Sequence, residues 1–172
     1  MNEQNTGADT VLGKVYNLEQ ALELRRKLKQ EKRVLVFTNG CFDLIHPGHL
    51  RLLMKAKEMG DFLLVGMNSD SSIRRIKGKG RPIMPEDARL LLLCSLQMVD
   101  GVIVYDEEIP LGLIEALKPD CYVKGTGWLP HQLPEAQLVR EYGGRIAVLE
   151  SLAPFSTTKI IQKIRSLPAD FL

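Results

Sequence analysis

Apolar residues along this chain keep two rhythms, short unbroken runs and longer stretches with helical spacing, and the two alternate. The runs at 34–38, 62–66, 102–105, 121–123 and 146–149 are β-branched or apolar almost throughout, as expected of strands buried on both faces of a parallel sheet. Helical spacing predicts helices over 85–96, 110–117, 134–142 and 156–164, and another that starts at Pro47 and stops before Gly60. Three of these begin on proline beyond 47, a residue the first turn tolerates because its missing N–H would be unpaired there. Asn17 predicts the cap of a first helix, with Leu18, Ala21, Leu22 and Leu28 as its apolar face. Strand and helix in alternation predict an α/β fold: a Rossmann-like, doubly wound parallel sheet of about five strands with helices on both faces.

Composition narrows this only a little. The 172 residues suit one domain, expected over 13–172, with 1–12 as a disordered tail lacking apolar periodicity. Hydrophobic residues make up 45% and charged residues 26% of the chain, the balance of an ordinary globular protein. A net charge of +2 points to neither nucleic acid nor an anionic membrane as partner. Cys41, Cys94 and Cys121 form an odd, scattered set without C-x-x-C, which argues against a disulfide framework or a zinc ribbon. No apolar run approaches the roughly 20 residues of a spanning helix, and the first ten residues are too polar for a signal peptide. A cytoplasmic location is the expectation.

The chemistry concentrates between Asn39 and His49, where the first long strand hands over to the helix at Pro47. Two of the three histidines, His46 and His49, fall in this run. A helix N-terminus carries unpaired N–H groups and the positive end of the dipole, so it favours an anion. Two imidazoles at the same point suit a phosphate whose charge grows during reaction. The plainer alternative is a pair of surface or capping histidines, and a zinc site would need a third ligand at suitable spacing, which is not evident. Gly48 has no Cβ and would let a ligand approach the backbone closely. The strands end at 38–40, 67–70 and 124–125, so topology brings these segments to one rim of the sheet.

Gly40-Cys41-Phe42-Asp43-Leu44-Ile45-His46-Pro47-Gly48-His49 resembles the G-x-F-D-x-x-H-x-G-H signature of the cytidylyltransferase-like nucleotidyltransferases. Phe155-Ser156-Thr157-Thr158-Lys159-Ile160-Ile161 is similar to a second motif of that family. The basic run 75–83 is similar to a loop of the adenylyltransferase domain that makes ADP-heptose. The resemblance runs from about residue 34 to about residue 165, with the landmarks in family order.

This resemblance implies in-line nucleotidyl transfer. His46 and His49 would donate to the α-phosphate and to the bridging oxygen of the departing pyrophosphate, with Lys77 as a third catalytic residue. Thr38, Asn39, Gly40, Phe42, Gly48, Lys124, Gly125, Ser156, Thr157 and Thr158 would bind nucleotide. Asp43, Arg75, Arg81, Arg89 and Trp128 are candidates for the acceptor phosphate. Each has a bland counterpart: 74–81 can be a solvated charge run, Ser156 to Thr158 can simply cap a helix, and Arg89 can pair with Glu86. The chain departs from the family at Gly127, where an Asp is usual, and at 153–155, where Ala-Pro-Phe replaces Glu-Gly-Tyr.

The implied partners are a nucleoside triphosphate, with Mg²⁺ carried on it, and a small phosphorylated acceptor. ATP with D-glycero-D-manno-heptose 1-phosphate leads, CTP with glycerol 3-phosphate or another polyol phosphate is the alternative, and a non-catalytic nucleotide-binding protein is a third reading. Relatives are often homodimers, and the helix after Asn17 is the expected contact surface.

Overall fold

The computed structural model describes residues 13–125, 133–149 and 155–168. The expected tail, Gly127 and Trp128 lie outside them. In chain order the elements are β1 (Val15–Tyr16), α1 (Leu18–Gln30), β2 (Leu35–Gly40), α2 (Pro47–Lys57), β3 (Phe62–Asn68), α3 (Asp70–Lys77), α4 (Glu86–Ser95), β4 (Gly101–Tyr105), α5 (Leu111–Leu117), β5 (Cys121–Lys124), α6 (Pro134–Glu141), β6 (Arg145–Val148) and α7 (Thr157–Arg165). The strands form one parallel sheet in the order β1-β4-β3-β2-β5-β6. The order reverses between β2 and β5, and in such sheets the ligand crevice opens at the carboxyl ends beside that reversal.

The period-two alternation of the strands divides the core into two layers. Val36, Val65, Val102 and Val123 pack on one face with Leu53 and Ala56 of α2 and Leu93 of α4. Leu35, Phe37, Leu64, Ile103 and Tyr122 pack on the other with Leu28 of α1, Ile114 of α5 and Val139 of α6. At the opposite rim an aspartate before each of three strands holds the neighbouring strand by its backbone. Asp61 accepts from the N–H of Val34 at 2.7 Å, Asp100 from Leu63 at 2.7 Å and Asp120 from Leu35 at 2.8 Å. A one-residue slip would turn every side chain to the wrong face, and these carboxylates oppose it.

Asn17 caps α1 as its sequence predicts, in a reciprocal capping box with Gln20. Two expectations need correction. The sheet has a sixth strand, β1, only two residues long and therefore too short for an apolar rhythm to reveal. The basic run 74–81 is not all loop: its first four residues, 74–77, belong to α3, which is capped by Ser69, whose side chain accepts from Ser72 N–H. Its Arg-Arg pair conceals a helix in which only Ser72 and Ile73 are buried. The cysteines are all free thiols. Among the described residues no helix is long and apolar enough to cross a membrane.

Candidate active site

A cleft of about 490 Å³ opens where β2 and β5 end, and residues from four distant segments line it. The segments are 39–49, 76–81, 124–125 and 156–158, joined by Leu52 and Asn68.

His46 and His49 stand at the start of α2, their rings stacked 3.8 Å apart at 19°. His46 is the N-cap itself: its Nδ1 accepts from the N–H of Gly48 at 3.1 Å and of His49 at 3.4 Å. An accepting Nδ1 puts the proton of the neutral ring on Nε2. The expectation of bare amides at this helix start is therefore corrected, because the imidazole covers two of them. The stacking partner His49 lies against Phe42, ring centres 5.4 Å apart, and its Nδ1 is buried with no hydrogen bond among the described residues. Burial first, and then the neighbouring His46, depress the His49 pKa to about 4. Burial lowers His46 as well. Both rings are thus neutral near pH 7, donors rather than standing cations.

Gly48 is required by His46 itself. A Cβ there would come within 2.9 Å of the ring Cε1 and 3.4 Å of the Phe155 carbonyl oxygen. Gly40 has a similar neighbour, with the Phe42 ring 3.3 Å from where its Cβ would be. Phe42 and Leu44 hold φ of 48° and 49°, a region that costs a side-chain-bearing residue roughly 1 kcal/mol or more. This backbone turns Asp43 inward between them.

Asp43 is fully buried, and its carboxylate accepts from Arg81 Nε at 2.8 Å, Ile83 N–H at 2.9 Å and Met84 N–H at 3.0 Å. Burial alone would raise its pKa, but those two N–H groups and the guanidinium hold it below the ordinary aspartate range. Its backbone carbonyl accepts from the Thr157 hydroxyl at 2.7 Å. Asp43 thus ties the histidine loop, the basic run and the second motif together, a tie and not a phosphate contact. Arg81 is held by Asp43 through Nε and lines the cleft beside Lys77. Ser156 caps α7 by accepting from Lys159 N–H, while Thr157 and Thr158 reach the cleft wall.

Lys124 Nζ lies 3.0 Å from Asn39 Oδ1, 2.9 Å from the Tyr122 hydroxyl and 2.9 Å from Glu135 Oε1. Asn39, Lys124 and Gly125 line the cleft together.

Three candidates lie elsewhere. Thr38 is buried beneath the floor, its hydroxyl without a partner among the described residues. Arg75 points away to Asp106 and Glu108. Arg89 is wholly buried, donating to the carbonyls of Cys41, Asn68 and Met84 and to the Asp70 carboxylate. Its guanidinium knits the ends of β2 and β3 rather than reaching phosphate or pairing with Glu86. Trp128 lies outside the described residues.

Leu52, Asn68 and Ile76, absent from the candidate residues, also line the cleft. Asn68 carried a signal as part of the 67–70 strand end, and Ile76 as an apolar residue set between Arg75 and Lys77; Leu52 carried none. Glu135 was unreadable, since nothing in Leu-Pro-Glu-Ala marks a buried acid.

Neutral imidazole donors on a helix N-terminus, two cations and a hydroxyl-bearing helix start are the parts that in-line displacement at phosphorus needs, since that chemistry rests on positioning and charge stabilisation. Residues 37–163 match the family model described as Cytidylyltransferase-like. The chain belongs to this cytidylyltransferase-like family of nucleotidyltransferases. It is similar to the bifunctional protein HldE of Geotalea uraniireducens, 44% identical over 153 residues that cover 89% of this chain and 31% of that protein. The bifunctional protein HldE of Helicobacter acinonychis is 44% identical over 152 residues, 88% of this chain and 31% of that protein. The chain therefore spans about a third of the length of these curated relatives. Among solved structures, the lipopolysaccharide core biosynthesis protein of Thermoplasma volcanium superposes with a TM-score of 0.57 at 29% identity, over 72% of this chain and 99% of that one. Pantoate-beta-alanine ligase of Francisella tularensis shares the fold, with a TM-score of 0.60 at 18% identity over 89% of this chain and 78% of that one.

Proposed function

We propose that this chain transfers AMP from ATP to the phosphate of D-glycero-D-manno-heptose 1-phosphate, giving ADP-heptose and pyrophosphate. The observation that carries nucleotidyl transfer is the stacked pair His46 and His49 at the start of α2, with Lys77 and Arg81 across the same cleft. An oxygen of the acceptor phosphate attacks the α-phosphorus, the bond from that phosphorus to the β-bridging oxygen breaks, and pyrophosphate carries the electron pair away. The acceptor oxygen is already ionised, so no protein base is needed. His46, through Nε2–H, and His49 meet the charge that develops on the α-phosphate and the bridging oxygen. Lys77 and Arg81 hold phosphate oxygens.

Mg²⁺ enters on the triphosphate. The cleft offers it little, because the Asp43 carboxylate is occupied by Arg81 and two amides, and among the described residues no group of three His, Cys, Asp or Glu could hold a metal. The choice of acceptor rests on the likeness of 75–83 to the ADP-heptose loop and on the HldE relatives. Such a reaction draws on cytoplasmic ATP.

The test is pyrophosphate release with ATP, CTP, GTP and UTP against heptose 1-phosphate and glycerol 3-phosphate, with Mg²⁺. Release confined to ATP with the heptose phosphate, and lost in His49→Ala, is the expected result. Release with CTP and glycerol 3-phosphate would replace both substrates, and nucleotide binding without release under any pair would refute turnover.

A further inference from the structure

Behind the cleft wall lies an acid that belongs to none of the motifs and pairs with Lys124. Glu135, on the first turn of α6, is 2% exposed. Its Oε1 sits 2.9 Å from Lys124 Nζ and 2.8 Å from the Tyr122 hydroxyl. The Tyr122 hydroxyl is also 2.7 Å from Asn39 Oδ1, and Asn39 Nδ2 donates to the Tyr105 hydroxyl at 2.7 Å. One network thus joins β2, β4, β5 and α6 at the reversal of strand order. Lys124 and Asn39 are cleft wall, whereas Glu135 stands in the second row behind them.

A carboxylate is kept in such a place only when it is paired, since an uncompensated buried charge is costly. Burial pushes the Glu135 carboxyl up, but the Lys124 ammonium and the hydrogen bonds around it bring it below the usual range. It is therefore ionised, and its charge offsets that of Lys124. A polyphosphate drawn to Lys124 must compete with Glu135 for it.

We infer that Glu135 is a positioning residue that holds the Lys124 ammonium on the cleft floor and acts as its counter-charge, limiting how tightly the cleft retains a polyphosphate. This rests on the nucleotidyl-transfer reading, in which one polyanion must be bound and another, pyrophosphate, let go. Glu135→Gln keeps the shape and an acceptor oxygen while removing the charge. A charge several ångströms away in a partly solvated cleft is worth about three- to tenfold in binding an anion.

The experiment is calorimetric titration of the full chain with pyrophosphate and with Mg-ATP, alongside steady-state kinetics and thermal melts. Glu135→Gln is expected to bind both ligands about three- to tenfold more tightly than the wild type, with a lower nucleotide KM and stronger inhibition by pyrophosphate. Glu135→Asp, which keeps the charge, is expected to stay near the wild type. Unchanged or weaker binding by a folded Glu135→Gln, or the same shift in Glu135→Asp, overturns the inference. Should Glu135→Gln not fold, Glu135→Ala removes the same charge and is expected to shift binding in the same direction. Failure of both to fold makes the carboxylate structural and also overturns the inference. A wild type that binds neither ligand removes the nucleotidyl-transfer reading and this inference with it. Binding by the wild type with no response in the variants removes this inference alone.

Discussion

His46 Nδ1 accepts from the backbone N–H of Gly48 at 3.1 Å, so the side chain that caps α2 also has its remaining proton fixed on Nε2, at the cleft. Cap and donor are one residue. The tautomer that the chemistry needs is set by the backbone before any ligand arrives.

Gly48→Ala tests that coupling. The added methyl would meet His46 Cε1 at 2.9 Å and Nδ1 at 3.0 Å, so the ring must leave its cap. Alanine is the better helix former by about 1 kcal/mol, so the melting temperature should hold while turnover falls about 100-fold, the scale of losing one transition-state donor. Steady-state rates beside a thermal melt decide it. A variant that stays fast while melting at the wild-type temperature would show that the His46 orientation is unimportant.

Low pH should weaken the fold through His49. An unfolded histidine titrates near 6.5 and the folded His49 at about 4, so between those values the unfolded chain binds the extra proton. Stability is then complete above pH 6.5 and declines as pH falls through that window, by about 3 kcal/mol in all. Melts from pH 7.5 to 4.5 should show the decline in the wild type and a flatter profile in His49→Asn.

Asp43→Ala should be costly to stability. It strands the Arg81 guanidinium and the N–H groups of Ile83 and Met84 around a buried site. Removing one partner of such a pair costs about 3–5 kcal/mol. Urea unfolding should show a loss of that order, and in the protein that remains folded the KM for a phosphorylated substrate should rise, because Arg81 is no longer held.

Arg75 and Arg89 should behave in opposite ways. Arg75→Ala breaks only exposed contacts, the ion pairs with Asp106 and Glu108 and a hydrogen bond to the Asp106 carbonyl, worth about 1 kcal/mol or less, and should leave KM for both substrates unchanged. Arg89→Lys cannot satisfy three carbonyls and a carboxylate at once. It should lower stability by about 1–3 kcal/mol for a buried carbonyl left without its donor. A KM effect of Arg75→Ala without a stability effect would return Arg75 to the phosphate site.

The parts of this molecule that sequence made legible are those written in local rhythm. The apolar run before Asn39, the proline at 47 and the Asn17 cap each act within a few residues, and each forms the element it predicts. Topology alone placed the strand ends at 38–40, 67–70 and 124–125 on one rim, and residues of all three line the cleft. What stayed hidden depends on neighbours remote in sequence. Arg89 reads as a phosphate ligand or the partner of Glu86 until Cys41 and Asn68 present their carbonyls to it. Asp43 reads as a ligand until Ile83 and Met84 turn their N–H groups toward it. In α3 the arginines masked the helix because only one narrow side of it is apolar.

The pairing of β2 with β5 joins Val36 to Cys121 and Thr38 to Val123, a union across about half of the chain. Such distant closures come late and slowly, since much chain entropy is lost before the contact forms. While β2, β3 and β4 can assemble from neighbouring segments, a half-formed sheet has no cleft floor, because Lys124 has not yet met Asn39. Nucleotide affinity should therefore appear last in refolding, after most helical signal has returned. During synthesis a chain released before β5 docks would carry both histidines and have nowhere to seat a nucleotide.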